Sequence, residues 1–246
     1  MRKSGTAASE ILTGTRAADI LLGLAGDDML LGKAGDDLFR GGGGADLIHG
    51  DGGHDRLFGD AGEDILFGDR GDDRIRGGDG NDVLVGGPGD DVLLGDGGDD
   101  RLFSITGKDR LKGGAGDDYY EIGRGHATAV DRAGNDEYKI HAGSTVTIND
   151  RTGNDRLIIA HHDSDLTLTV SDMLFQRLGD DLVITIDGYR GQTTIAHFYG
   201  EDETHRIERI RDENPDEPTG YSLEIESVLR LYDGDPAVRG SDIWEL

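Results

Sequence analysis

The sequence contains no cysteine, which removes disulfides and thiolate metal sites from consideration. It also lacks any apolar run long enough to cross a bilayer; the longest, such as Leu157–Ala160, fall far short of the roughly 20 residues a membrane helix needs. Met1-Arg2-Lys3 is basic but no apolar segment follows it, so a cleavable signal peptide is not expected. Positive charge is scarce: 25 Lys and Arg face 51 Asp and Glu, giving a formal net charge of -26 over 246 residues. Such a chain repels nucleic acid rather than attracting it.

Catalytic signatures are missing as well. There is no Gly-x-Ser-x-Gly elbow and no His-Glu-x-x-His pair. Gly32-Lys33 lacks the spacing and the following Ser or Thr of a phosphate loop, and no Gly-x-Gly-x-x-Gly occurs. Histidines His161, His162, His197 and His205 sit in strand-like contexts, where surface or packing roles are commoner than metal ligation. Asp233-Gly234-Asp235 resembles the start of an EF-hand loop, but Val238 stands where that loop requires glycine. No enzyme activity is expected of this chain.

What the chain does have is a nine-residue unit repeated in register. Frames starting at 14, 23, 32 and so on to 140 give fifteen units. Position six is Asp in thirteen, failing at Ala127 and Thr145, and position four is Gly in fourteen, failing at Ala17. A clean copy runs Gly77-Gly78-Asp79-Gly80-Asn81-Asp82-Val83-Leu84-Val85. A register held over so many copies marks a repeat architecture. Position eight is apolar throughout (Leu21, Leu30, Phe39, Ile48, Leu57, Leu66, Ile75, Leu84, Leu93, Leu102, Leu111, Tyr120), which argues against a merely solvated Gly/Asp linker.

Glycine at the turn positions permits positive φ and close backbone approach, and the residues after the acid favour a short strand. Such units wind into a parallel roll with two turns and two strands per coil. Turns on one edge then recur every eighteen residues, and the acids form two rows. The first is Asp19, Asp37, Asp55, Asp73, Asp91 and Asp109. The second is Asp28, Asp46, Asp64, Asp82, Asp100, Asp118 and Asp136. Stacking brings like charges together along each edge, and a hard dication between successive turns relieves it. Carboxylate and carbonyl oxygens are the ligands calcium prefers. The gaps number five in the first row and six in the second, so about eleven calcium ions would bring -26 to about -4. One buried side chain per nine residues is a thin core, so the repeats are expected to be largely unfolded without calcium. The position-five acids Asp27, Asp36, Asp72, Asp90, Asp99 and Asp117 are assigned to solvent.

These units resemble the RTX (repeats-in-toxin) nonapeptide, Gly-Gly-x-Gly-x-Asp-x-apolar-x. The resemblance implies an all-β fold, a right-handed parallel β-roll (β-solenoid) with calcium held by the position-six Asp side chains and by turn carbonyls. At position one these are Gly23, Gly32, Gly41, Gly50, Gly59, Gly68, Gly77, Gly86, Gly95 and Gly113. At position four they are Gly26, Gly35, Gly44, Gly53, Gly62, Gly71, Gly80, Gly89, Gly98 and Gly116. It further implies secretion through a type I apparatus, with folding outside the cell. Departures at Ser104, Ile122, Ala127, Asp131 and Thr145 set apart the sites beyond Asp118.

The expected organisation is a lead-in at 1–13, the calcium-binding roll at 14–157, and a small antiparallel β-rich C-terminal domain at 158–246. Gly153-Asn154-Asp155-Arg156-Leu157 reads as a last unit after a one-residue insertion. Beyond it, strands are expected at Asp165–Val170, Met173–Leu178, Leu182–Asp187, Gln192–Tyr199 and His205–Arg211. An acidic loop follows at Asp212–Gly220, then a short amphipathic helix at Ser222–Tyr232, with a strand the alternative for Val228–Tyr232. The segment around Phe175–Leu182 resembles the β-rich region that often follows RTX arrays, and Asp242–Leu246 resembles the ending of type I substrates. Trp244, the single Trp, reads as packing.

Positions seven and nine face outward, and the two faces differ. One carries Met29, Leu31, Leu47, Ile65, Phe67, Val83, Val85 and Phe103, a nearly continuous apolar stripe. The other carries Arg40, Arg56, Arg74, Arg76, Arg110 and Lys112. The apolar face is expected to be covered by the C-terminal strands, a second copy or a further domain. Two other functions fit the same array: an adhesive or carbohydrate-binding protein, and the tail of an RTX toxin or enzyme whose active domain lies upstream.

Overall fold

The computed structural model describes residues 1–150, 152–160, 173–178, 181–186, 189–196, 198, 207–212, 222–224 and 238–239. The fold is an all-β parallel solenoid of about nine turns. No helix occurs among the described residues. Strands alternate along the chain between two sheets. One runs through Ile20–Ala25, Leu38–Gly43, Arg56–Ala61, Arg74–Asp79, Val92–Gly97 and Lys108–Ala115; the other through Met29–Leu31, Leu47–His49, Ile65–Phe67, Val83–Val85 and Arg101–Ser104. Each pairs in parallel with the strand eighteen residues away, as Leu84 with Leu66 and Leu102. Two nine-residue units therefore make one coil, as the repeat requires.

Alternation along each strand puts position eight inside. All twelve position-eight residues named above are at most 1% exposed, and they form one continuous core column. Each coil thus contributes two large apolar side chains to a narrow interior. Leu84→Ala should cost about 2–5 kcal/mol, because parallel strands on both sides keep the cavity from collapsing. Thermal melting in saturating calcium measures this, and Val83→Ala on the outer surface should change much less.

The frame slips once, and earlier than the last unit suggests. Glu121 pairs with Lys139, eighteen residues on, whereas His126 pairs with Thr145, nineteen on. The extra residue therefore lies between His141 and Thr145, in a turn where Gly143 has φ 95°. Downstream of it Val146, not Thr145, holds position six beside Ala127, and Ile148 rather than Thr147 points inward. The inserted residue moves every later unit by one.

The described C-terminal strands extend the two sheets of the solenoid. Gln192–Ile195 pairs in parallel with Thr145–Asn149, and Ile207–Asp212 with Asp155–Ala160. Met173–Leu178 and Asp181–Ile186 then add antiparallel strands to the first sheet, close to the expected bounds. Met173, Phe175, Leu182, Ile184, Ile195 and Ile210 join the core column of the roll. Where the amphipathic spacing suggested a helix, Ser222–Glu224 is a strand paired antiparallel to Ile207–Asp212. The open backbone groups of that sheet edge outweigh a weak 3.6-residue period. The expected strands at Asp165–Val170 and Val228–Tyr232 fall outside the described residues, as do His161, His162, His197, His205, Asp233–Asp235 and Trp244.

Exposure follows residue type on both faces: Leu38, Phe58, Val92 and Leu94 on the cationic face are half-buried, and Arg101 on the apolar face is exposed. Met29, Leu31, Leu47, Phe67, Val83, Val85 and Phe103 are half-buried, with Ile65 the exception at 41% exposed. Arg40, Arg56, Arg74, Arg76, Arg110 and Lys112 are exposed. His49 stacks on Phe67 with ring centroids 4.5 Å apart.

Candidate metal centres

Every position-six acid from Asp19 to Asp118, together with Asp136, is at most 3% exposed. Side-chain oxygens link these acids along each edge. The backbone N–H of Asp37 donates to Oδ1 of Asp55 at 2.7 Å, that of Asp55 to Asp73 at 2.8 Å, and that of Asp73 to Asp91 at 2.8 Å. The second row repeats the pattern from Asp28 through Asp46, Asp64, Asp82, Asp100 and Asp118 to Asp136. One oxygen of each carboxylate thus fastens the preceding coil. The other, Oδ2, has no protein partner in eleven of them: Asp28, Asp37, Asp46, Asp55, Asp64, Asp73, Asp82, Asp91, Asp100, Asp118 and Asp136. A buried carboxylate oxygen without a donor costs several kcal/mol unless a cation meets it, so the rows fit a hard dication.

A carbonyl oxygen lies beside the acid at position one. At Gly50 an added Cβ would sit 2.5 Å from Asp55 Oδ2 and 2.7 Å from the carbonyl oxygen of Gly68, so acid and next-coil carbonyl converge there. Position-four carbonyls take another course. That of Gly53 runs straight at Gly71 of the next coil, 1.6 Å from where a Cβ would be. Position-five acids are exposed as expected, yet they also bridge coils: Asp72 accepts the N–H of Asp90, and Asp90 that of Lys108.

Burial is the main influence on the acids, with like-charged neighbours adding to it. It raises Asp46, Asp64, Asp73 and Asp100 to about 6, Asp55, Asp82 and Asp91 to about 7, and Asp136 to about 9, from 3.8. Folded-state values above the unfolded value mean that, without cations, stability is full below about pH 4 and falls as pH rises through 6 to 9. A chain stripped of divalent cations should therefore show its strongest β-type circular dichroism in acid and lose it towards neutrality. Excess calcium should reverse the trend, since it binds the deprotonated carboxylates. A cation-free signal that strengthens with pH would contradict this.

Three features lie where the strict frame departs or shifts. Asp155 continues the second row: Asp136 N–H donates to its Oδ1 at 2.9 Å. Its signal is the match of Gly153-Asn154-Asp155 to Gly134-Asn135-Asp136, nineteen residues apart. Ser104, at position one, donates its hydroxyl to Asp109 Oδ2 and so closes the end of the first row. Beyond it that edge turns apolar, with Ile122, Ala127, Ile140 and Val146 buried where acids and glycines stood.

Five overlapping stretches, 4–39, 31–66, 40–75, 67–102 and 94–129, match the RTX calcium-binding nonapeptide repeat, together just over half of the chain. The chain belongs to the RTX family. RTX repeats bind calcium, and this solenoid is a calcium-binding β-roll of the kind typical of secreted proteins. No curated protein sequence matches it. Among solved structures, the crystal structure of extracellular lipase LipA from Serratia marcescens is similar at 19% identity, with a TM-score of 0.22. The alignment covers 82% of this RTX chain and 38% of the lipase chain.

Proposed function

We propose that this chain is a calcium-assembled folding module of an exported protein. It passes a type I apparatus unfolded, folds on meeting extracellular calcium, and stabilises what is joined to it. The observation that carries this reading is the double file of buried Oδ2 atoms without protein donors. In it, each ion lies between successive position-six acids of one row, with position-one carbonyls completing the shell. The rows then take about eleven ions, and the Asp136–Asp155 gap adds one more. The net charge of -26 is what such a load would neutralise. Binding and folding, rather than catalysis, is the work of this chain.

The test compares Asp73→Asn and Asp82→Asn, one from each row, with Asp72→Asn at position five. The first two should retain fewer calcium ions in equilibrium dialysis and need more calcium to fold. Asp72→Asn should match the parent on both counts. Equal calcium retention in all three would sink the assignment.

A further inference from the structure

We propose that the far end of the second row holds two cation sites of a different make, each built from three carboxylates: Asp118, Asp131 and Asp136 around one ion, and Asp136, Asp150 and Asp155 around the next. The proposal rests on the reading of the rows as cation ladders and adds the position-one acids to it. In regular coils position one is glycine, and its side-chain space belongs to the acid five residues on. A Cβ at Gly59 would lie 2.2 Å from Asp64 Oδ2, and one at Gly77 2.1 Å from Asp82 Oδ2. Asp131 and Asp150 occupy that position, so a second carboxylate enters the space of the first. Within each trio the candidate ligand atoms lie within 4.8 Å of one another.

All five side chains are buried, Asp131 completely. Asp118 Oδ2 and Asp136 Oδ2 meet no protein donor. Three carboxylates in so small a dry volume repel one another strongly, and a multivalent cation at their centre turns that repulsion into ligation.

The added acids are also held in place. The Tyr120 hydroxyl donates to Asp131 Oδ2, and the N–H of Ala133 donates to Asp131 Oδ1 at 3.1 Å. The Tyr138 hydroxyl donates to Asp150 Oδ2 at 2.7 Å. Both tyrosines stand at position eight, where most other coils carry Leu or Ile, and their rings stack with centroids 4.6 Å apart. Tyrosine at position eight and aspartate at position one thus occur together twice, the first orienting the second as outer-shell donors orient metal ligands. On the opposite edge the same coils have lost their position-six acids to Ala127 and Val146. Negative charge is concentrated on one edge while it vanishes from the other.

Three carboxylates per ion favour a hard cation of high charge, so these sites should hold calcium longest and accept a trivalent lanthanide first. The test adds terbium(III) to the calcium-loaded full chain and reads emission excited through tyrosine, since Tyr120 and Tyr138 touch the proposed ligands. Emission should saturate at one ion per trio, two in all. Asp131→Asn combined with Asp150→Asn should weaken terbium binding at least about tenfold while the calcium-induced circular dichroism persists. Tyr120→Phe with Tyr138→Phe should remove the emission but not the calcium-induced fold. If the double Asn variant does not fold in calcium, Asp150→Asn alone should lose one of the two terbium ions. Undiminished terbium affinity in the Asn variants, or no tyrosine-excited emission from the parent, overturns the proposal. A parent chain that ignores calcium altogether would instead overturn the ladder reading beneath it.

Discussion

Withdrawal of calcium at neutral pH should unfold the roll as a whole. The two sheets are joined at each edge by turns whose position-six acids stand at most 3% exposed. Along a row each carboxylate fastens the coil before it through Oδ1, so no acid can move to solvent without breaking a link in the ladder. With cations gone, the Oδ2 atoms stay buried and uncompensated, and neighbouring acids repel across each gap. Each coil sets only two large apolar side chains against this, as Leu84 and Leu93 in one turn. The structure has no means of relieving a single gap in isolation, because coils contact only their neighbours and the rows are continuous. A chelator should therefore abolish the β-type circular dichroism and drive the radius of gyration towards the roughly 54 Å of an unfolded chain of this length. Returning calcium should restore both steeply with concentration. A roll that keeps its spectrum in chelator at pH 7.5 would show that the core suffices without ions.

Gly80→Ala should be among the most damaging single methyl groups in the roll. Gly80 has φ +128°, and a Cβ there would lie 2.0 Å from the carbonyl oxygen of Gly62 and 2.7 Å from its carbonyl carbon. Both are backbone atoms of the previous coil, fixed by pairing on either side, so neither can swing away. Strain in the left-handed region adds to the clash, and the sum should reach about 3 kcal/mol or more. Gly43→Ala makes the control. Nothing lies within 4 Å of its Cβ position and its φ is not left-handed. It should be neutral or stabilise by up to about 1 kcal/mol, because the unfolded chain loses freedom. Calcium midpoints and melting temperatures of the two variants separate these cases. Equal behaviour would mean the coils are spaced more loosely than the backbone contacts imply.

How much of this was legible beforehand differs from one residue to the next. Position-eight burial from Leu21 to Tyr120 follows from the frame, because a strict period leaves one inward side chain per strand. Burial of the acids follows likewise, since position six precedes the strand at a fixed offset. The frame is silent where it breaks. One residue added near Gly143 leaves no local trace, since glycine is already common; the displaced unit Gly153–Leu157 shows that a residue was added, and the pairing of His126 with Thr145 shows where. Asp131 looks like damage to the repeat when read alone. The hydroxyl of Tyr120, eleven residues away in sequence, and the N–H of Gly114 in the neighbouring coil give it a place. Ser222–Glu224 misled for another reason: an amphipathic period says which side is apolar but not which neighbour offers backbone groups, and here a sheet edge did.

The alternation of strands between two sheets gives the roll a parity. Removing eighteen residues from the regular part takes out one coil and returns every later unit to its own edge. Removing nine sends every later unit to the opposite edge. Removing Gly59–Phe67, for example, would set Arg74 and Arg76 beside Leu47 and His49 on the apolar face, in the places that Ile65 and Phe67 held. Chains of this design can lengthen or shorten freely only in even numbers of units, and an odd change rewrites both surfaces at once.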